Sequence, residues 1–176
     1  MEKTLEPGAL RVAAWGGAAL LWLAPLVAMQ FTEEVRWSVF DFAVFGAMLA
    51  IAASLFDLAT RMGGDLARQA AFALAIGTGF LMTWANLAVG LVGSEDNPVN
   101  LMFWTPLVVA FFGGVMVRFR PKRFSYVLVA TAATQMAPAV MAAAMGWGLA
   151  VGPAAFFSLL WLGAAALFRM EPVTPR

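Results

Sequence analysis

Arg118-Phe119-Arg120-Pro121-Lys122-Arg123 packs four cations and a proline into six residues, between two runs that carry no charge at all, Pro98–Val117 and Tyr126–Met145. Each run is about as long as the roughly 20 apolar residues that cross a bilayer core as a helix. Two such runs joined by a basic turn are two membrane spans meeting the water on one side. The same grammar extends along the chain. Leu10–Met29, Trp37–Phe56, Gln69–Val92 and Leu149–Phe168 complete a set of six apolar segments. Breaks between them are made by charges or by Gly and Pro. The weakest break is Gly146-Trp147-Gly148, but Tyr126–Phe168 is too long for one span, so a tight hairpin is expected there.

These segments predict an all-α polytopic transmembrane bundle of six helices in a single domain covering residues 1–176. The 176 residues are 62% apolar, with a mean hydropathy of +0.83. Soluble domains run roughly 45–50% apolar. The first span resembles a signal peptide in position. Its length, its internal Pro25 and the lack of a clean small-x-small site favour an uncleaved helix.

Orientation follows from the cations. Ten of the eleven Lys and Arg residues fall on one side if both termini share it, and only Arg36 falls on the other. By the positive-inside rule the ten mark the cytoplasmic face, giving an N-in/C-in chain. Trp37, Trp104 and Trp147 then sit at the outer boundary, and Phe119, Phe124 and Tyr126 at the inner one. The chain has no cysteine and no histidine, which removes disulfides, thiol and Ser-His or Cys-His catalysis, and the usual zinc and haem ligands. No cofactor is expected, and the identity of any bound metal stays open.

Helices in lipid associate by close packing, so small residues should mark their contacts. Gly46/Ala50/Ser54, Ala73/Gly77, Ala110/Gly114 and Ala133/Ala137 form such ladders. Pro25, Pro106, Pro138 and Pro153 fall within spans and are expected to kink them.

The outer side is acidic: Glu33, Glu34, Asp41, Glu95 and Asp96 face only Arg36. In Gly93-Ser94-Glu95-Asp96-Asn97-Pro98-Val99-Asn100, Asn97 is placed to cap a helix starting at Pro98, and the two acids lie near that helix's positive end. A sharper reading makes Glu95, Asp96, Asn97 and Asn100 an outer-loop cation site, since hard cations want several oxygens. Asp41 and Asn86 lie at similar depth, about a turn or two inside their spans, and an intramembrane carboxylate is by default a functional candidate. With Gln135, near the middle of the fifth span, they form a candidate polar pocket. The alternatives are that Asp41 pairs with Arg36 and that Gln135 makes an interhelical hydrogen bond. On the inner side Asp57 precedes Arg61 by four residues, a favourable helical pair. Arg118, Arg120, Lys122 and Arg123 are expected to touch anionic lipid headgroups.

The run Trp84-Ala85-Asn86-Leu87-Ala88-Val89-Gly90 through Asn100, with its Gly-Ser-Glu-Asp-Asn-Pro core, resembles a family of small bacterial integral membrane proteins over residues 80–105. The resemblance implies a bacterial inner-membrane location and no activity. No HExxH is present, Glu95-Asp96 lack the spacing and side of a prenyltransferase motif, and neither lysine lies in a span where it could carry retinal. The expected role is an accessory or structural membrane component. The alternative is a small transporter or channel for a cation, a proton or a cationic solute. Membrane lipids are the expected partners, with self-association or other membrane proteins open and no nucleic acid.

Overall fold

A computed structural model describes residues 7–94, 96–146 and 151–170. It is all-helical, with no strand among those residues. The helices are α1 (Pro7–Ala28), α2 (Val39–Arg61), α3 (Leu66–Ala88), a 3-10 helix (Pro98–Phe103), α4 (Trp104–Met116), α5 (Pro121–Ala144) and α6 (Val151–Arg169). With the 3-10 helix continuing into α4, six helices are long and apolar enough to cross a membrane. Lys3, Glu95, Trp147, Gly148 and Arg176, all used in the charge or boundary reading, lie outside the described residues.

The chain divides at the start of α3 into two compact units. The first is the α1–α2 pair. Its helices run antiparallel, because Trp22 meets Phe42 while Arg11 meets Asp57. The Trp22 indole N–H donates to the Phe42 carbonyl at 2.9 Å. The indole lies flat enough on α2 that a Cβ at Gly46 would come within 2.7 Å of its Nε1. A glycine there is what lets the helices approach. At the far end Asp57 takes both Arg11 and Arg61, the latter at 2.9 Å.

The second unit holds α3 to α6. α5 and α6 are antiparallel, with the Ser158 hydroxyl donating to the Ala132 carbonyl at 3.0 Å. Their interface is a seam of fully buried alanines, among them Ala139, Ala142, Ala154 and Ala164. α3 joins through Gly79, which sits against Leu107 of α4 and Trp161 of α6. Gly113 of α4 receives Val127 of α5.

The expected small-residue ladders hold only in part. Gly46 and Gly114 are contact points, but Ala50, Ser54, Ala73, Gly77, Ala133 and Ala137 are exposed. The packing faces lie elsewhere on the same helices, at Ala71, Ala75 and Gly79 on α3 and at Ala132, Gln135 and Ala139 on α5. Pro25 and Pro138 lie inside α1 and α5, while Pro106 and Pro153 sit third in α4 and α6, Pro106 within the continuous helical run Pro98–Met116.

Candidate functional site

The segment between α3 and α4 is folded around one side chain. α3 ends near Ala88, and Gly90 and Gly93 turn the chain at φ 69° and 68°, in the left-handed region that favours glycine. Asn100, 4% exposed, then reaches back into the turn. Its Oδ1 accepts from the Leu91 and Val92 N–H groups at 3.0 and 2.9 Å. Its Nδ2 donates to the carbonyls of Ser94 at 2.6 Å and Val92 at 3.4 Å. A carboxamide has two donors and one oxygen with two lone pairs, so Asn100 is saturated. The Asn86 Nδ2 donates to the Asn100 carbonyl at 3.0 Å and ties the loop to α3. Val92, Val99 and Phe103 anchor it from below in a core shared with Met82, Ala139, Ala142, Ala154 and Phe157.

Asn97 caps as the sequence indicates: its Oδ1 accepts from the Val99 N–H at 3.0 Å. The helix it opens is 3-10 for six residues before α4 begins. The Asn100 oxygen is therefore fully committed to backbone N–H groups and the Asn97 oxygen partly so, which leaves Asp96 and one lone pair of Asn97 from the expected cation set among the described residues. Those residues contain no cluster of three or more acidic, histidine or cysteine side chains able to hold a metal.

The residues of the expected polar pocket fall in both compact units and each has its own local setting. Asp41 is third in α2, and its carboxylate accepts from the Ser38 N–H and hydroxyl at 2.7 and 2.8 Å, while the Ser38 Oγ accepts from the Asp41 N–H. This is a capping box, and it accounts for the carboxylate's position. Arg36 does not pair with Asp41; it pairs with Glu33 at 3.3 Å. Asp41 and Asn86 belong to different compact units. Gln135 is fully buried, yet neither its Oε1 nor its Nε2 has a hydrogen-bond partner among the described residues. No interhelical hydrogen bond from Gln135 is found among the described residues; α5 and α6 are linked instead by Ser158.

A cleft of about 310 Å³ opens beside the loop, walled by Asn86, Asp96, Asn97, Asn100 and Trp104, with Leu87 and Leu101 flanking. Asn86 is 7% exposed, and its Oδ1 is buried with no hydrogen-bond partner among the described residues. Sequence reasoning missed Trp104, Leu87 and Leu101 as walls. The spacing Asn97-x-x-Asn100-Leu101-x-x-Trp104 places them one turn apart along a helical segment, a signal available in the sequence once the helix start is fixed.

At the opposite end of this unit, Arg118, Arg120, Lys122 and Arg123 are all exposed, and no acidic partner faces them among the described residues. The turn closes α4 by a Schellman motif. Phe119 N–H donates to Gly114 O at 2.8 Å and Arg118 N–H to Val115 O at 2.9 Å. Arg118 and Phe119 adopt φ 54° and 50° to do so. No family model, no curated protein and no solved structure matches the chain.

Proposed function

We propose that this chain is a multi-pass protein of the bacterial inner membrane, with both termini cytoplasmic, serving as an accessory or structural component that conducts no solute of its own. The resemblance of residues 80–105 to small bacterial membrane proteins supports the location, and the ten-to-one cation asymmetry supports the orientation. One observation carries the role. Two of the polar side chains offered for a pathway or an outer site are spent on the fold itself: Asn100 uses its whole hydrogen-bonding capacity on the loop backbone, and Asp41 closes α2.

The test is flux through proteoliposomes holding the purified protein. Na⁺, K⁺ and H⁺ movement should match protein-free vesicles. Saturable flux abolished by Asp41→Asn would replace this reading with transport. Orientation is read separately by single cysteines, which the Cys-free chain allows. Ser94→Cys should react with an impermeant maleimide in spheroplasts and Lys122→Cys should not; both positions are exposed. The reverse pattern would invert the topology.

A further inference from the structure

We infer that the basic end of the α3–α6 unit is a binding site for a phospholipid carrying two phosphate groups, with Arg169 of α6 and Lys122 of α5 holding its headgroup. This goes beyond the accessory role and depends neither on that role nor on which side of the membrane this end faces.

Three features converge on that ligand. The first is a fixed guanidinium with a free fork. Arg169 lies over the Tyr126 ring at 5.0 Å, and its Nε donates to the Ser125 Oγ at 3.2 Å. The Ser125 hydroxyl in turn donates to the Lys122 carbonyl at 2.9 Å, so two hydrogen bonds in series tie Arg169 to the first turn of α5. Arg169 is exposed, and its two Nη groups have no partner among the described residues. A guanidinium already held in place loses little freedom when its remaining N–H groups grip a phosphate bidentately.

The second feature is charge that the fold does not balance. Arg118, Arg120, Lys122 and Arg123 are exposed at the same end, and neither they nor Arg169 form an ion pair among the described residues. Lys122 and Arg123 stand in the first turn of α5, where the helix dipole disfavours cations and no side chain caps the backbone. An anion relieves that repulsion. One phosphodiester offsets a single charge, and a headgroup with two phosphates offsets two. Basic clusters where helices leave the membrane bind such headgroups. The third feature is what continues from the cations. Lys122 and Tyr126 share a face of α5 that runs on through Ala130, Ala133 and Ala137, all exposed. These small side chains, free of helix contacts, leave a shallow apolar strip suited to an acyl chain. A soluble polyanion would use the cations and leave the strip idle; a lipid uses both.

The full chain, delipidated in dodecyl maltoside, is titrated with cardiolipin and, at matched phosphate, with phosphatidylglycerol, and bound lipid is counted by native mass spectrometry. Cardiolipin should bind about tenfold or more tightly, a factor worth about 1.4 kcal/mol. Arg169→Lys keeps the charge but removes the planar fork, and should abolish that preference. Lys122→Gln, an exposed substitution that leaves the carbonyl for Ser125 in place, should weaken cardiolipin binding about fivefold, the worth of one cation at such a surface. Its melting temperature without lipid should match the parent, so it carries the test if Arg169→Lys melts lower. Arg36→Gln removes the same charge from the other unit and should leave binding unchanged. Equal binding of the two lipids, a preference that survives both Arg169→Lys and Lys122→Gln, or the same loss with Arg36→Gln overturns the site. A melting shift with pyrophosphate as large as that with cardiolipin assigns the cations to a soluble anion and overturns it too. Flux and cysteine labelling play no part in these readouts, so the accessory role and the orientation can fail while this site stands, and the reverse.

Discussion

At one end of the second unit, four phenylalanines close the bundle. Phe72 meets Phe168 edge to face at 4.9 Å, Phe124 meets Phe119 and Phe168 at 5.2 Å, and Arg169 lies over Tyr126 at 5.0 Å while its Nε donates to Ser125. At the other end, two asparagines do the closing, through hydrogen bonds to backbone. Both ends must stop a chain leaving a span from exposing unpaired N–H and C=O groups where water is scarce. The aromatic end lets a Schellman turn satisfy the backbone and fills the remaining space with rings. The asparagine end has two glycine turns and no helix to do it, so one side chain supplies the missing partners. Aromatic packing spreads its free energy over many weak contacts, each replaceable in part. A saturated amide concentrates it in one residue.

That contrast predicts unequal sensitivity, and the largest effect belongs to Asn100. Asn100→Leu keeps volume but strands the N–H groups of Leu91 and Val92, Val92 being 2% exposed. Each stranded group costs about 1–3 kcal/mol, so a loss of about 2–5 kcal/mol is expected in denaturant unfolding in detergent. A loss below that of any single aromatic truncation would mean that the loop finds other partners and that the two ends are held alike.

Gly114→Ala probes the aromatic end. A Cβ there would approach the Phe119 ring to 2.3 Å and the Phe124 ring to 2.9 Å. Rings can shift where backbone cannot, so the cost should stay within about 1–3 kcal/mol, the usual range for overpacking. Thermal unfolding checks it. A cost exceeding that of Asn100→Leu would make the aromatic end the rigid one.

Between the two ends, Gln135 has a fully buried amide with no partner at either atom among the described residues. Gln135→Met preserves the shape and removes the unmet polar groups, so stability should rise by about 1 kcal/mol. A fall would show that the amide is satisfied in the folded protein, and its role would move from packing to chemistry.

The six spans were legible because charge and apolar length report directly on helices in lipid, and the Asn97-Pro98 start was legible because capping is local. The 3-10 character of residues 98–103 was not, because it is imposed where the loop docks Val99 and Phe103 into the core. Nor was the work of Asn100, whose partners lie six to nine residues back and meet it only after two positive-φ turns. The small-residue ladders misled on α3 and α5 because alanine occupies every face of those helices, so spacing alone selects no face. The capping role of Asp41 was legible in principle: Ser38-x-x-Asp41 is a capping pattern, although depth alone drew the reading to a pocket.

The smallest expected effect tests the turn that opened the reading of the chain. Arg118 occupies the left-handed position that closes a Schellman motif, usually filled by glycine, and its side chain is exposed with no acidic partner among the described residues. A non-glycine residue there carries backbone strain of about 1–2 kcal/mol, while glycine adds about 0.5–1 kcal/mol of unfolded-state entropy. Arg118→Gly should therefore raise stability in neutral detergent by at most about 1 kcal/mol. In bilayers rich in anionic lipid the gain should shrink or vanish, since each cation near such a surface contributes about 1 kcal/mol. Phe119 shares the backbone geometry but not the outcome. Its ring packs on Phe72 and Phe124, so Phe119→Gly should destabilise in both media. If Arg118→Gly is destabilising in neutral detergent, the arginine is held by the fold and not by headgroups, and the basic turn belongs with the asparagine end as a closure built on specific polar contacts.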